Sequence, residues 1–292
     1  MTSTTETSGA KRRNPFRSDS RLVRWAAPAV FAVIVLVLWQ ALVMITGISE
    51  TSLPSPIEVA KSGWENRQLL IDNTWVTVLE ILIGFLAAIV LGVFLAALIH
   101  SSKTVERALY PWLVVSQMVP IPAIAPIIVI WTGFDLRPKI IVIALVSFFP
   151  IAVNTIDGLR AVDPQLLRLM KTLKASWWQR FRLAQVPAAL PHFFSGLKVA
   201  AALSVIGAVF AEWVGSSEGL GYLILVLNNN TETATMFATI FLLSLIGIIL
   251  FSIVSLLERI LLPWYLDARR EDGEDDEVPS DTSDNALHIG GS

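Results

Sequence analysis

The strongest constraint on this chain is the length of its uncharged segments. Four segments contain no Asp, Glu, Lys or Arg: those between Arg24 and Glu50, between Arg107 and Asp135, between Lys139 and Asp157, and between Glu232 and Glu258. A helix needs about 20 apolar residues to cross the roughly 30 Å hydrocarbon layer of a bilayer. Only 16% of the residues are charged, against about 25% in soluble domains. The sequence therefore predicts an all-α protein embedded in a lipid bilayer.

Two further segments carry charges but are still long enough to span. One runs from about 74 to 99 with Glu80 inside it, and the other from about 196 to 215 with Glu212 near its end. We expect six transmembrane helices: an anchor over residues 25–46 and five more in a core over residues 74–264. The first segment is too long for the apolar part of a cleavable signal peptide, and no small-residue cleavage site follows it.

Basic residues are distributed unevenly along the connections. If the N-terminus lies inside, only Lys61, Arg67, Arg137 and Lys139 fall outside, and most of the other Lys and Arg residues fall on the inner side. Cytoplasmic loops carry this excess of positive charge. We therefore predict a multi-pass protein of the cell membrane with both termini in the cytoplasm. The tails are a basic one over residues 1–20 and an acidic one over residues 267–292, and their polar composition predicts disorder.

A polar loop over residues 158–191 separates the fourth and fifth spans. Asp163 can cap a first short helix, with Pro164 at a position where its missing N–H is not needed. One face of this helix is apolar and another basic. The apolar face holds Leu166, Leu167, Leu169, Met170 and Leu173, and the basic face holds Arg168, Lys171 and Lys174.

A second short helix follows in the same loop. Ser176 and Gln179 form a capping-box pattern that starts it, and we expect Pro187 and Pro191 to end it. The pattern leaves two interpretations open: an amphipathic element lying on anionic lipid, or a docking element for a cytoplasmic partner.

The stretch from Arg168 to Pro191 resembles the EAA loop of binding-protein-dependent ABC importer permeases. The family pattern is Glu-Ala-Ala, three residues, Gly, nine residues and Ile-x-Leu-Pro, and Ala184, Val186 and Pro187 stand at its closing positions. The sequence departs from the pattern at two places. Arg168-Leu-Met replaces Glu-Ala-Ala, and Lys174 stands where the family has Gly.

Other motifs between Leu53 and Trp264 are similar to those of nitrate, sulfonate and taurine permeases. They are Leu53-Pro-Ser-Pro, Val119-Pro-Ile-Pro-Ala and Glu212-Trp-Val-Gly-Ser-Ser-Glu-Gly-Leu-Gly-Tyr-Leu. Within this group, Phe148-Phe-Pro-Ile-Ala-Val-Asn-Thr-Ile-Asp-Gly-Leu is most similar to permeases for the thiamine precursor hydroxymethylpyrimidine or for riboflavin.

The resemblance implies a type I ABC importer permease fold and a mechanism of alternating access. It also implies two cytoplasmic ATPase subunits, an extracytoplasmic solute-binding protein and a second permease copy, expected to make a homodimer. The loop would act as a coupling helix on the ATPase through Asp163, Pro164, Arg168, Leu169, Met170, Lys171, Leu173, Lys174, Ala175, Ser176 and Pro187.

Catalysis by this chain itself is not expected. It has no Gly-x-x-x-x-Gly-Lys-Ser/Thr phosphate loop, so ATP hydrolysis is assigned to a separate subunit. It contains no Cys and only three scattered His, so neither a metal site nor a cofactor is expected. The partners we expect include the lipid bilayer but no nucleic acid.

The third span contains prolines that predict a bend or break. Pro120, Pro122 and Pro126 remove backbone donors, and Gln117 lies one turn before them. Backbone polar groups that a helix break leaves without partners are tolerated in a membrane only where they face protein or water. Gln117, Pro120 and Pro122 are therefore candidates for the solute path, although a structural kink with Gln117 bonded to a neighbouring helix explains the pattern equally well.

Two carboxylates, Glu80 and Glu212, fall toward the outer side of the membrane. We find no Lys or Arg in the outer half of any predicted span. Buried ionisable groups in membranes are costly and commonly functional, so both are candidates for the solute path. This pattern favours a neutral or cationic heterocycle over an inorganic or sulfonate anion. Snorkelling or a buried hydrogen bond is the alternative.

Small residues recur every fourth position in the fifth span. One row comprises Gly196, Ala200, Ser204 and Ala208, and a second comprises Gly207, Ala211 and Gly215. Such rows let helices approach closely. They predict either tight packing within the chain or a dimer seam or pore wall, and the latter makes Ser204 and Gly207 path candidates.

Rival classes fit less well. An importer of the same class for sulfonate, taurine or nitrate remains an alternative. A secondary transporter should show inverted repeats, and none is visible. A membrane enzyme should show a cluster of catalytic side chains, and none is found.

Overall fold

The computed structural model describes residues 21–265, with side chains from residue 29 onward. The predicted tails, residues 1–20 and 267–292, lie outside the described residues. The side chain of Trp25 lies outside the described side chains. Every element in the described part is helical. The helices are α1 (Arg21–Thr46), α2 (Pro56–Glu65), α3 (Arg67–Ser101), α4 (Lys103–Val115), α5 (Ile121–Thr132), α6 (Leu136–Arg160), α7 (Pro164–Thr172), α8 (Trp177–Arg180), α9 (Val186–Gly215), α10 (Leu220–Asn229) and α11 (Thr233–Leu261).

Five of the described helices are long and apolar enough to cross a membrane: α1, α3, α6, the continuous helix from Trp177 to Gly215, and α11. A sixth span exists if α4 and α5 count as one broken helix. The prediction of six spans is confirmed on that count. The short helices α2 and α10 were not predicted.

The break between α4 and α5 lies at the predicted prolines. A 3₁₀ turn over Ser116–Met118 ends the first half, and the two halves meet at 100°. Val119 and Pro120 have extended backbone, and Pro122 lies in the first turn of α5, where a missing N–H costs no hydrogen bond. The predicted interruption of this span is confirmed.

The prediction that Pro187 and Pro191 end a helix is wrong. Pro187 lies in the first turn of α9, Pro191 lies inside it, and the helix runs unbroken from α8 to Gly215. A π-helical turn over Phe181–Gln185 comes directly before Pro187. Each proline removes one donor, and the wider π turn relaxes the hydrogen-bond ladder at that point without ending the helix.

Helix α6 forms the centre of the core, between α3 and α9. A Cβ added at Gly84 or Gly92 of α3 would come within 2.6 or 2.9 Å of Ile143 or Ile151. On α9, a Cβ at Gly196 would come within 2.6 Å of the Pro150 carbonyl oxygen. Glycine at these positions lets the three helices pack backbone against side chain.

The two small-residue rows of α9 are buried inside the chain. Their members are Gly196, Ala200, Ser204, Gly207, Ala208, Ala211 and Gly215. Gly207 packs against Ile143, and Gly215 against Val129. Of the two interpretations, the structure supports packing within the chain, and these residues present no free surface for a dimer seam.

Candidate functional site

A buried ion pair links α3 to the first turn of α6. The Lys139 Nζ lies 2.5 Å from Glu80 Oε1 and also donates to Ser216 Oγ at 2.7 Å. Glu80 is 1% exposed and Lys139 9% exposed. The statement that the outer half of the spans holds no basic residue is therefore wrong. Lys139 lies within the first turn of α6, not at the end of a loop.

The carboxylate of Glu212 fastens α9 to the beginning of α10. It accepts hydrogen bonds from Thr77 Oγ1 at 2.7 Å and from the backbone N–H groups of Gly221 and Tyr222 at 2.5 and 3.2 Å. The side chain is fully buried. Hydrogen bonds to a charged acceptor are the strong ones, so this contact fixes the connection between the two helices.

Gly219 allows that connection to form. Its φ of +110° lies in the region that side chains disfavour, and a Cβ there would overlap the carboxyl group of Glu212. Its N–H donates to Asn73 Oδ1 at 2.8 Å, and the next N–H, of Leu220, donates to Thr77 Oγ1 at 2.8 Å. Three helices thus meet at one buried polar cluster.

The polar cluster contains groups that the sequence argument missed. Asn73, Thr77 and Glu80 follow one another at spacings of four and three residues, which places them on one face of α3. That stripe was visible in the sequence as a signal of a polar helix contact. Its partners on α6 and α10 lie 59 and 143 residues away and carry no such signal.

The candidate path residues divide into two groups. Glu80, Ser204, Gly207 and Glu212 are buried in the protein core, where they contact other residues of the chain. The argument against an anionic solute loses its basis, because Glu80 is neutralised by Lys139 and Glu212 is bonded to its own chain. The remaining candidates, Gln117, Pro120 and Pro122, are exposed at the bend between α4 and α5.

At the inner end, α7 begins where it was predicted to begin. Asp163 Oδ1 accepts from the Gln165 N–H at 2.7 Å, and Pro164 is the first helical residue. The capping box of Ser176 and Gln179 is also formed, at the start of α8. Both predicted caps are confirmed.

Lys174 ends α7 in the left-handed conformation, with φ of 59°. The Ala175 N–H donates to the Met170 carbonyl oxygen at 2.9 Å, and the Lys174 N–H to that of Lys171 at 2.9 Å. These two bonds form a Schellman motif, whose left-handed position is usually glycine. The chain therefore forms this turn with a lysine at the left-handed position.

The loop presents apolar side chains that the described chain does not cover. No residue of α7 is buried. Leu169 of α7 and Leu173, which directly follows the helix, are 57% and 73% exposed. Trp177 and Trp178 of α8 are also exposed. Exposed apolar patches rimmed by charge mark contact sites for protein or membrane.

Contacts behind α7 and α8 hold the loop on the bundle. Within the loop, Phe181 stacks on Trp177 with ring centroids 5.2 Å apart. The contact to α3 is made by His100, whose Nε2 lies 3.3 Å from Gln185 Oε1. The end of α6 and the beginning of α4 are joined by an ion pair between Arg160 and Glu106 at 2.8 Å. A second ion pair joins Lys198 to Glu258. The loop is therefore joined to α3, and the neighbouring helices are joined to one another by ion pairs.

The sequence comparisons agree with this geometry. The model of the family "Binding-protein-dependent transport system inner membrane component" matches residues 88–262. The chain belongs to this family. It is a permease subunit of an ABC importer with the type I permease fold, a multi-pass protein of the inner membrane. Members of this family are membrane components, generally without catalytic activity, and the family implies a binding protein and an ATPase as partners.

Several relatives are similar over almost their whole length. The formylaminopyrimidine transport permease protein ThiX of Halalkalibacterium halodurans is 40% identical over 81% of this chain and 95% of its own. The riboflavin transport system permease protein RibX of Chloroflexus aurantiacus is 35% identical, over 80% and 88%. The putative aliphatic sulfonates transport permease protein SsuC of Bacillus subtilis is 33% identical, over 82% and 88%.

Among solved structures, the crystal structure of an amino acid ABC transporter with histidines aligns with a TM-score of 0.49. It is 19% identical in sequence, and the alignment covers 68% of this chain and 95% of that one.

Proposed function

We propose that this permease imports a pyrimidine-type thiamine precursor, or a closely related heterocyclic vitamin, by alternating access. ThiX, named for formylaminopyrimidine transport, is 40% identical to this chain, and RibX, named for riboflavin transport, is 35% identical. Formylaminopyrimidine and riboflavin are both neutral or weakly charged heterocycles. An importer for sulfonates is the second candidate, supported by SsuC at 33% identity and by the loss of the electrostatic argument against anions.

The observation that carries the proposed mechanism is the uncovered surface of α7 and α8. Burying a Leu side chain contributes about 1.5–3 kcal/mol, so Leu169 and Leu173 together offer a substantial docking energy to a partner. The basic Arg168 and Lys171 flank them. A cytoplasmic ATPase with an apolar groove and an acidic rim fits this surface. Two such ATPases would act on a pair of permease copies, with the solute delivered by an extracytoplasmic binding protein.

The orientation follows from the same proposal. With α7 and α8 in the cytoplasm, both termini are cytoplasmic, and the cluster of Glu80, Lys139 and Glu212 lies at the outer end of the bundle. Gln117, Pro120 and Pro122, exposed at the bend between α4 and α5, are our candidates for solute contact. The polar backbone exposed at such a break is stable only against protein or water.

The proposal is tested by reconstituting the permease with its ATPase and binding protein in lipid vesicles. ATP hydrolysis is measured with formylaminopyrimidine, hydroxymethylpyrimidine, riboflavin, taurine and nitrate added separately. We expect stimulation by a pyrimidine. Stimulation by taurine or nitrate alone would replace the heterocycle with an anion as the solute. Transport that follows an ion gradient without ATP would contradict the importer mechanism.

The docking surface is tested with a matched pair of substitutions. Leu169→Asp places a charge in the proposed contact and should weaken ATPase binding by at least about tenfold, the factor for a lost burial of about 1.4 kcal/mol. Leu136→Asp makes the same change at an exposed leucine of the opposite end of the bundle and should leave ATPase binding unchanged. Equal binding by both variants would remove α7 from the contact.

A further inference from the structure

A lipid-facing groove separates α1 from the rest of the bundle. It has a volume of about 750 Å³ and is bounded by α1, α2, α3 and α11. Its walls are apolar: they include Leu36 and Trp39 of α1, Val59 of α2, Leu70 of α3, and Leu245 and Ile248 of α11. The groove lies apart from the polar cluster and from the loop of α7 and α8.

The length of the groove matches one leaflet of a bilayer. Along α11 its wall runs from Ala238 to Ile248, which is about 15 Å at the helical rise of about 1.5 Å per residue. The hydrocarbon layer is about 30 Å thick, so this is about half of it. In the orientation proposed above, on which this inference rests, the groove begins at α2 and the first residue of α3, beside the outer surface, and ends near the middle of the membrane.

A positively charged side chain lies at the outer mouth of the groove. Arg67 lines the mouth and is exposed. Its guanidinium donates to the Trp64 carbonyl oxygen at 3.1 Å and lies 5.1 Å from the centre of the Trp64 ring. Among the described side chains it makes no salt bridge, whereas Lys61, six residues earlier, pairs with Glu65. Several N–H groups of Arg67 therefore remain available to a phosphate, whose geometry its planar fork matches with two hydrogen bonds.

The lining of the groove fits a phospholipid. Arg67 is the one charged side chain among the described lining residues, and the rest of the wall, about 15 Å long, is almost wholly apolar. A cationic group and an apolar length match the anionic headgroup and the acyl chain of a phospholipid. Contact between α1 and α11 is made by Trp39, which packs on Phe237 and Phe241 with ring centroids 5.9 and 6.2 Å apart.

We propose that this groove is a binding site for an anionic glycerophospholipid of the outer leaflet. One acyl chain lies along α11 between α1 and α3, and the phosphate is bound by Arg67. The lipid fills the apolar surface between helices that touch mainly at Trp39, and so joins α1 to the core. The site is independent of the solute and of the ATPase.

Native mass spectrometry of the full-length permease in detergent tests this site. Phosphatidylglycerol and phosphatidylcholine with identical acyl chains are added at equal concentration. We expect the wild-type protein to retain phosphatidylglycerol preferentially. Arg67→Gln should lower the bound fraction by about tenfold, the factor for the loss of one charge-assisted hydrogen bond. Arg67 is exposed, so the substitution leaves the fold intact.

Two further variants locate the lipid. Ser244→Trp fills the deep part of the groove, where Ser244 is an exposed lining residue, and should reduce retention of both lipids. Lys61→Gln removes one nearby positive charge without touching the groove and should retain phosphatidylglycerol as the wild type does. The proposal is overturned if Arg67→Gln retains phosphatidylglycerol fully, or if Lys61→Gln loses as much of it as Arg67→Gln.

Discussion

Replacing Lys139 by methionine should destabilise the permease strongly, because it leaves the Glu80 carboxylate buried without its partner. Among the described residues, the hydrogen bond to Glu80 Oε1 comes from Lys139, and Glu80 Oε2 makes none. The side chains of Glu80 and Lys139 are only 2% and 11% exposed, so little water reaches the carboxylate to replace the lost contact. Breaking a buried ion pair from one side costs about 3–5 kcal/mol.

Thermal unfolding in detergent, followed by tryptophan fluorescence, measures this cost. For a chain of this size, 1 kcal/mol lowers Tm by about 2–4 °C, so Lys139→Met should unfold about 6–20 °C below the wild type. The double variant Glu80→Met with Lys139→Met removes both charges. Its stability should return to within about 1 kcal/mol of the wild type, because an apolar pair of similar volume replaces a buried ion pair without a large loss.

Two outcomes would refute this reasoning. If Lys139→Met unfolds at the wild-type temperature, the carboxylate is neutral or hydrated and the buried pair does not stabilise the bundle. If the double variant is as unstable as Lys139→Met, the loss comes from the packing of the lysine stem and not from the unpaired charge.

Four other substitutions, one of them a control, test the local structure. Lys174→Gly should raise the stability by about 1 kcal/mol, measured as a higher Tm, because glycine adopts the left-handed conformation without the side-chain penalty. Gly219→Ala should prevent folding or lower Tm severely, since its Cβ would overlap a buried carboxylate. Gly47→Ala is the control, because Gly47 also has a positive φ but no atom lies within 4 Å of its Cβ. This control should cost only the backbone strain of about 1–3 kcal/mol. The backbone N–H of Ser55 holds the pKa of Glu58 below its ordinary value of 4.5. The cap of α2 therefore stabilises the fold above that pH, and this contribution is lost as the pH falls through the lowered pKa. Glu58→Gln should flatten this part of the curve of stability against pH.

The sequence by itself determined the features that depend on local chemistry. Charge-free segments predicted the spans, because lipid excludes charged side chains over the length of a helix. The caps at Asp163 and Ser176 and the break at Pro120 were also predictable, because each depends on a donor or acceptor within a few residues. The motif pattern from Arg168 to Pro187 indicated the permease family. The role of Lys174 as a left-handed residue agrees with the glycine that the family has there.

Only the tertiary structure decided which distant groups meet. Burying the carboxylates of Glu80 and Glu212 in a membrane costs free energy, and this cost suggested a functional role. Their partners Lys139 and Thr77 lie 59 and 135 residues away in the sequence, which is beyond the reach of any sequence period. The small residues of α9, with Gly207 among them, predicted close helix contacts without naming the neighbour, which is α6 of the same chain. Helix periodicity determines which face of a helix is polar or small, whereas the arrangement of the other helices determines what that face contacts.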